Sequence, residues 1–294
     1  MFARFVLALM LAIPAFAAYA QGYPNKPLRL IVPWPPTGTV DILGRTLGQK
    51  MGESLGQSIV IDNRGGANGM IGTDMAAKAA PDGYTILVEN LTGQTINAAL
   101  HEKMAYDIHK DFAPVSLLAW VPNGVVSLPT LPAKNIQELI ALAKAQPGKL
   151  TYASFGIGSS AHLTFELFKG MTGVDMLHIP YKGGGPAIAD LLAVTGAQRS
   201  SAMPDIPTVA ESGVPGFESS NWFGLMVPAG TPPEIVARLN AEAGRALQAP
   251  DVREKLSGLG YETQSSTPQE LAVFLRKEGD KWAKVVKASG AKAE

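Results

Sequence analysis

Two stretches of this 294-residue chain carry residue types and spacing suited to holding an anion. In the first, Trp34-Pro35-Pro36-Thr37-Gly38-Thr39-Val40-Asp41, the prolines have a fixed φ and lack an N–H, so they end the apolar run Leu30-Ile31-Val32. Thr37 and Gly38 turn the chain, and apolar residues then recur at helical spacing at Leu43, Leu47, Met51 and Leu55. Thr39 or Asp41 is placed to cap that helix and Gly56 to stop it. In the second, Phe155-Gly156-Ile157-Gly158-Ser159-Ser160 follows a strand-like run at 150–154 and opens a helix marked by Leu163, Leu167 and Met171. Each stretch is a strand-to-helix turn whose free N–H groups and helix dipole favour negative charge. Facing each other across a cleft, the two would suit a small molecule with a carboxylate at each end.

Other chemistries fit less well. Ser159, Ser160 and His162 suggest a hydrolase, yet the spacing is not the Gly-x-Ser-x-Gly elbow, and serine at a helix start ordinarily caps. His101, His109, His162 and His178 include no pair at metal-binding spacing, so no metal or cofactor is expected. Gly183-Gly184-Gly185 lacks the Lys-Ser/Thr pair of a phosphate loop, its lysine preceding the glycines, and reads as a flexible turn. Trp34 and Trp222 would line a pocket or fill the core, core being the default for aromatics beside strands. Arg64, among glycines, is suited to a carboxylate but as a loop arginine is expected to be solvated. With 25 basic and 25 acidic residues there is no footprint for nucleic acid, and with no cysteine there is neither a disulfide nor a thiolate metal site.

The elements that would position the turns alternate. Strands are predicted at 30–32, 57–61 and 84–88, with helices from Val40 to Leu55 and from Met70 to Ala80, the second ended by Pro81-Asp82-Gly83. That order implies parallel pairing with right-handed crossovers. Extended segments follow at 115–119 and 125–128, then a helix to Ala145 with Asn135 and Glu138 as a capping box, and strands at 150–154 and 176–181. Pro186 opens a further helix, 221–228 is long enough to cross between lobes, and the C-terminal part is helical over 232–247, 251–256 and 268–288 with a short strand at 261–263. At the start, Arg4, an apolar run to Ala18 and the pattern Ala18-Tyr19-Ala20 predict a secretory leader cleaved after Ala20, shorter than the roughly 20 apolar residues of a membrane span.

These residues resemble one family. Tyr23-Pro24-Asn25-Lys26-Pro27, the Pro-Pro-x-Gly-x-x-Asp turn ending at Asp41, Asn63-Arg64 with its glycines, Ala80-Pro81-Asp82-Gly83-Tyr84-Thr85, His178-Ile179-Pro180-Tyr181-Lys182-Gly183, Pro204-Asp205-Ile206-Pro207-Thr208 and Trp222-Phe223-Gly224 are similar to the Bug, or TctC, solute-binding proteins of tripartite tricarboxylate transporters. The resemblance implies a two-lobe α/β periplasmic-binding-protein (Venus-flytrap, type II-like) fold, monomeric, that closes on a di- or tricarboxylate in the periplasm and delivers it to membrane permease subunits. A sensor acting on a membrane kinase is the alternative partner scheme, and a hydrolase using Ser160 and His162 the alternative class. Residues 21–120 would begin the first lobe, 121–221 form the second, and 222–294 return to the first. Carried onto this chain, the ligand-contacting set is Trp34, Pro36, Thr37, Gly38, Thr39 and Asp41 with Gly156, Gly158, Ser159, Ser160 and His162, and with Lys182 and Gly183 at the cleft margin.

Two departures stand out. Thr37 replaces a glycine of the family pattern, and threonine is strained there if the turn needs φ above zero. Leu192 also joins Ala193 directly, where the resemblance implies an intervening strand and helix between a helix over 186–192 and a strand at 193–195. A second lobe lacking that unit is expected to expose ladder groups and to bind ligand weakly or not at all, unless a neighbouring segment or partner chain fills the gap.

Overall fold

The computed structural model describes residues 22–154, 156–180 and 190–292. The expected leader, Lys182, Gly183 and the turn through Pro186 lie outside them. Strand β1 (Leu28–Val32) buries both of its faces: Leu28, Leu30 and Val32 enter one core and Ile31 another, while Arg29 pairs with Asp62 at 2.7 Å. Burial on both faces belongs to a parallel sheet covered by helices. Helix α1 (Thr39–Leu55) leads to β2 (Ile59–Asn63), and α2 (Met70–Ala77) to β3 (Thr85–Asn90). β1 pairs in parallel with both β2 and β3, as the alternation predicts.

Helix α3 (Leu91–Leu100) has no counterpart in the sequence reading. Its run Leu91-Thr92-Gly93-Gln94-Thr95-Ile96-Asn97 mixes polar, β-branched and glycine residues without an apolar period, yet all seven are buried. Asn90 caps it, its side chain accepting from the Gly93 N–H at 3.0 Å. Burial therefore supplies the stability that intrinsic propensity does not.

After β4 (Phe112–Pro122) the chain enters a second body with its own core, drawn from Ile136, Leu139, Tyr152, Phe168, Val209 and Phe217 among others. It comprises β5 (Gly124–Ser127), α4 (Ile136–Ala145), β6 (Thr151–Ser154), α5 (Ser160–Thr172), β7 (Leu177–Pro180) and β8 (Asp190–Val194). Asn135 caps α4 by accepting from the Glu138 N–H, while Glu138 accepts from the Lys134 amide, one residue earlier than in a standard box.

The strands of this body form two separate pairs, β5 with β8 antiparallel and β6 with β7 parallel. Residues 190–192 are strand, which corrects the helix expected over 186–192. Val125 lies opposite Ala193 and Val126 opposite Leu191, so Leu192 is an extra residue in the ladder. Joined directly to Ala193, the residues before the junction are drawn onto β5, and the bulge falls at the junction itself.

β9 (Ser220–Pro228) then returns antiparallel between β3 and β4, and β10 (Glu262–Thr263) closes the edge of a six-stranded sheet ordered β10-β4-β9-β3-β1-β2. Helices α1, α6 (Pro233–Gln248) and α7 (Pro250–Ser257) cover one face, and α2 with α8 (Pro268–Ser289) the other. A smaller apolar cluster joins the two bodies: Ile96 of α3, Leu163 of α5 and Trp282 of α8 are fully buried together. No helix among the described residues is long and apolar enough to cross a membrane.

Candidate ligand-binding site

The first turn is held open by its own side chains. Thr37 has φ +69°, the left-handed conformation in which threonine is strained. Its N–H donates to Asp41 Oδ2 at 2.9 Å, where Arg45 Nε also donates, and Asn63 Nδ2 donates to Oδ1 at 2.9 Å. Burial pushes the Asp41 carboxyl up, but the hydrogen bonds from Arg45, the Thr37 amide and Asn63 outweigh it and hold it below the ordinary range. With both oxygens engaged and 2% exposure, Asp41 shapes the turn. Neither Thr39 nor Asp41 is the cap: Gly38 takes that position, and Asp41 reaches past it because Thr37 has turned its amide inward. Gly56 ends the helix left-handed, as predicted. The first-turn amides of Thr39 and Val40 have no helical acceptor.

Trp34 packs against the core. Its indole N–H donates to Glu89 Oε1 at 3.0 Å in the core, while its ring edge lies against Gly69 and Gly93, where a Cβ would stand 3.3 and 3.8 Å away. Glu89 is fully buried and accepts also from Thr73 Oγ1 at 2.5 Å and the Asn90 N–H at 2.7 Å. Burial nevertheless raises its pKa to about 7. Arg64 is ion-paired with Asp62 at 2.8 Å and half exposed.

In the second turn Gly156 and Gly158 have φ +119° and +75°, conformations suited to glycine. Ser159 caps α5: its Oγ accepts from the His162 N–H at 3.2 Å and donates to the Gly156 carbonyl at 2.8 Å. His162 Nδ1 accepts from the Gly158 N–H at 3.1 Å, so the ring is neutral with its proton on Nε2. Burial, and then the His178 ring stacked at 4.0 Å, lower its pKa to about 4. His178 Nε2 lies 2.6 Å from Ser154 Oγ. Ser160 occupies the first helical position, and among the described residues no hydrogen bond links it to His162, whose Nδ1 is committed to the turn.

Helix α3 touches one residue of each turn. Gly93, Asn97 and Leu100 share one face at spacing i, i+4, i+7. Gly93 lies beside Trp34, and Asn97 exchanges hydrogen bonds with Asn68 at 2.7 and 3.0 Å. Leu100 covers Gly158, where a Cβ would stand 2.5 Å from its Cδ1. Seven residues of helix separate Gly93 from Leu100 by about 10 Å. The sequence reading missed α3, Asn68, Glu89 and the stacked histidines; the one local signal was Asn90, a capping residue at a strand end. No group of three or more metal-ligating side chains occurs among the described residues.

Two α/β bodies joined by crossing strands, each bringing a strand-to-helix turn to a shared helix, define the two-lobe solute-binding class. The profile of the tripartite tricarboxylate transporter family receptors matches residues 43–194 and 190–291, and the chain belongs to that family of periplasmic binding proteins. It is 37% identical to protein BugT of Bordetella pertussis, over 98% of this chain and 97% of that one. Among solved structures it is similar to Rpa4515 of R. palustris with adipate, at 35% identity and TM-score 0.81, over 92% of this chain and 99% of that one. It is also similar to MatC from Rhodopseudomonas palustris with bound malate, at 32% identity and TM-score 0.75, over 90% and 100%.

The family match is split, and its two parts meet on β8. The BugT alignment runs over 316 positions but uses 98% of the 294 residues here, about 288, so about 28 positions of BugT lie opposite gaps. The second lobe thus lacks about one strand-helix unit.

Proposed function

We propose that this chain is the periplasmic substrate-binding component of a tripartite tricarboxylate-type transporter, capturing a small carboxylate between its lobes and passing it to membrane permease subunits. The convergence of both turns on one face of α3 carries this reading. Amides of Thr39 and Val40 take one end of the ligand, and those of Ser160 and Ala161 take the other. The bound adipate and malate of the two related structures support a dicarboxylate ligand.

In this reading residues 21–120 and 222–294 form one jaw and 121–221 the other, after export and removal of 1–20. Ligand held by both jaws favours the closed form by its differential affinity for it, and no covalent chemistry is required. Trp34, Pro36, Thr37 and Gly38 shape one end of the pocket. Gly156, Gly158, Ser159 and His162 shape the other, with Lys182 and Gly183 at its margin.

Calorimetric titration of the chain from Gln21 with adipate and malate tests the proposal. Saturable one-to-one binding of either supports it. Absence of binding by both, even after the second lobe has been completed as described below, overturns it.

A further inference from the structure

The second lobe contains a slot of a definite shape. β5 is paired along one edge with β8, and β6 along one edge with β7; no strand among the described residues pairs with their other edges. Between those edges lies a cavity of about 730 Å³. Its walls include every residue of β5, Thr151 to Ala153 of β6, and Phe165 of α5, but no residue of β7 or β8. The unpaired edges therefore border the same space.

One strand matches that space in size. Four residues extend about 13 Å, occupy about 4.8 Å across a sheet and about 10 Å through the layer, or roughly 600 Å³. The walls are largely apolar, with Lys149 the one charged residue among those described. Two wall side chains present buried polar atoms with no partner among the described residues, Ser127 Oγ and Asn123 Nδ2. Groups of this kind are normally satisfied, so they mark where a hydrogen-bonding neighbour is lacking. Val126 is 51% exposed and Leu128 65%, apolar surface that a completed sheet would cover.

The junction accounts for the slot. The family match breaks on β8, where Leu192 bulges, and about 28 positions of BugT have no counterpart. That length suffices for one strand and a crossover of a dozen residues or more.

We propose that the slot between β5 and β6 is an acceptor for one extended peptide strand of four or five uncharged, largely apolar residues, supplied by another polypeptide. The guest would hydrogen-bond to both edges at once, place a polar side chain near Asn123 and Ser127, and turn two strand pairs into one sheet. This is strand addition, in which the main chain supplies affinity and alternate side chains supply selectivity. No strand among the described residues of a second copy has both edges free to fill the slot. The slot shares Ala161 with the ligand end proposed above, but the strand edges of β5 and β6 define it whatever the cleft between the lobes holds.

The test uses the chain from Gln21 and synthetic five- to seven-residue peptides covering the BugT segment that falls opposite the gap. One peptide should raise the unfolding midpoint saturably by several degrees, and its variant with a central Pro or Asp should not. Val126→Lys, at a half-exposed wall position, should abolish the shift while leaving the midpoint of the free chain nearly unchanged. As an independent measurement, grafting the whole BugT segment between Leu192 and Ala193 should raise the midpoint without added peptide. If no peptide shifts the midpoint and the graft leaves it unchanged or lower, the acceptor is disproved. Sedimentation showing a stable dimer that the peptides cannot dissociate would also overturn the proposal, since a second copy would then fill the slot.

Discussion

Leu100, at the end of one lobe's helix, lies directly over Gly158 in the turn of the other, leaving 2.5 Å between its Cδ1 and the place a Cβ would occupy. Gly158 also has φ +75°, so a side chain there meets strain as well as a clash. Gly158→Ala is expected to cost about 1–3 kcal/mol. Leu100→Ala should recover the steric part and leave the conformational part, giving a coupling of at least about 0.5 kcal/mol in a denaturation cycle. Strict additivity would show that the two residues do not meet.

Thr37 holds a left-handed backbone, and among the described residues no hydrogen bond engages its side chain. Thr37→Gly should stabilise the chain by about 1 kcal/mol, raising the midpoint by about 2–4 °C. It should also open the turn to a ligand oxygen. A lower midpoint would mean that the threonine side chain contributes packing that outweighs its strain.

Glu89 should make stability fall as pH rises through the acid range. Its folded pKa near 7 exceeds the ordinary carboxyl value of 4.5, so between those values the folded state binds more protons than the unfolded state. Stability is therefore lost across that window, by about 3 kcal/mol in total. Glu89→Gln, whose amide oxygen can still accept from the Trp34 indole and whose NH2 can donate to Thr73 Oγ1 as that hydroxyl donates to the Gly69 carbonyl, should remove that slope from denaturation curves measured at pH 4.5 and 7. Parallel curves for the two proteins would refute the assignment.

His162 acts in the opposite sense. Its folded pKa near 4 lies below the ordinary imidazole value of 6.5, so the unfolded state binds more protons between them. The stability it contributes is present above pH 6.5 and is lost as pH falls toward 4. His162→Asn can still accept from the Gly158 amide and should flatten this acid loss. If the loss persists in the variant, other groups cause it.

What the sequence disclosed follows from where local signals exist. Pro33, Pro35 and Pro36 end β1, Gly56 ends α1, and the glycines at 156 and 158 turn the second lobe, each through a backbone preference visible in one residue. The parallel order β2-β1-β3 follows from strand and helix alternation. Helix α3 was hidden because its polar and β-branched residues are helical only by virtue of burial, and the site it organises was hidden with it. The inward reach of Asp41 to Thr37 also depended on a left-handed residue that no propensity favours. Charge-neutral buried contacts between distant segments, such as His162 on His178, leave no periodic trace.

The central claim is that a carboxylate is held by helix-start amides from both lobes, and it can be tested one N–H at a time. Gly38 and Ser159, which precede the first helical residues, have ψ 170° and 155°, the extended conformation that proline tolerates in its predecessor. Thr39→Pro and Ser160→Pro should therefore keep both helices and each remove a single amide. In calorimetric titration with adipate, each should weaken binding by about 10-fold or more, the worth of one charge-assisted hydrogen bond, with the unfolding midpoint preserved. Unchanged affinity in both folded variants would contradict the account.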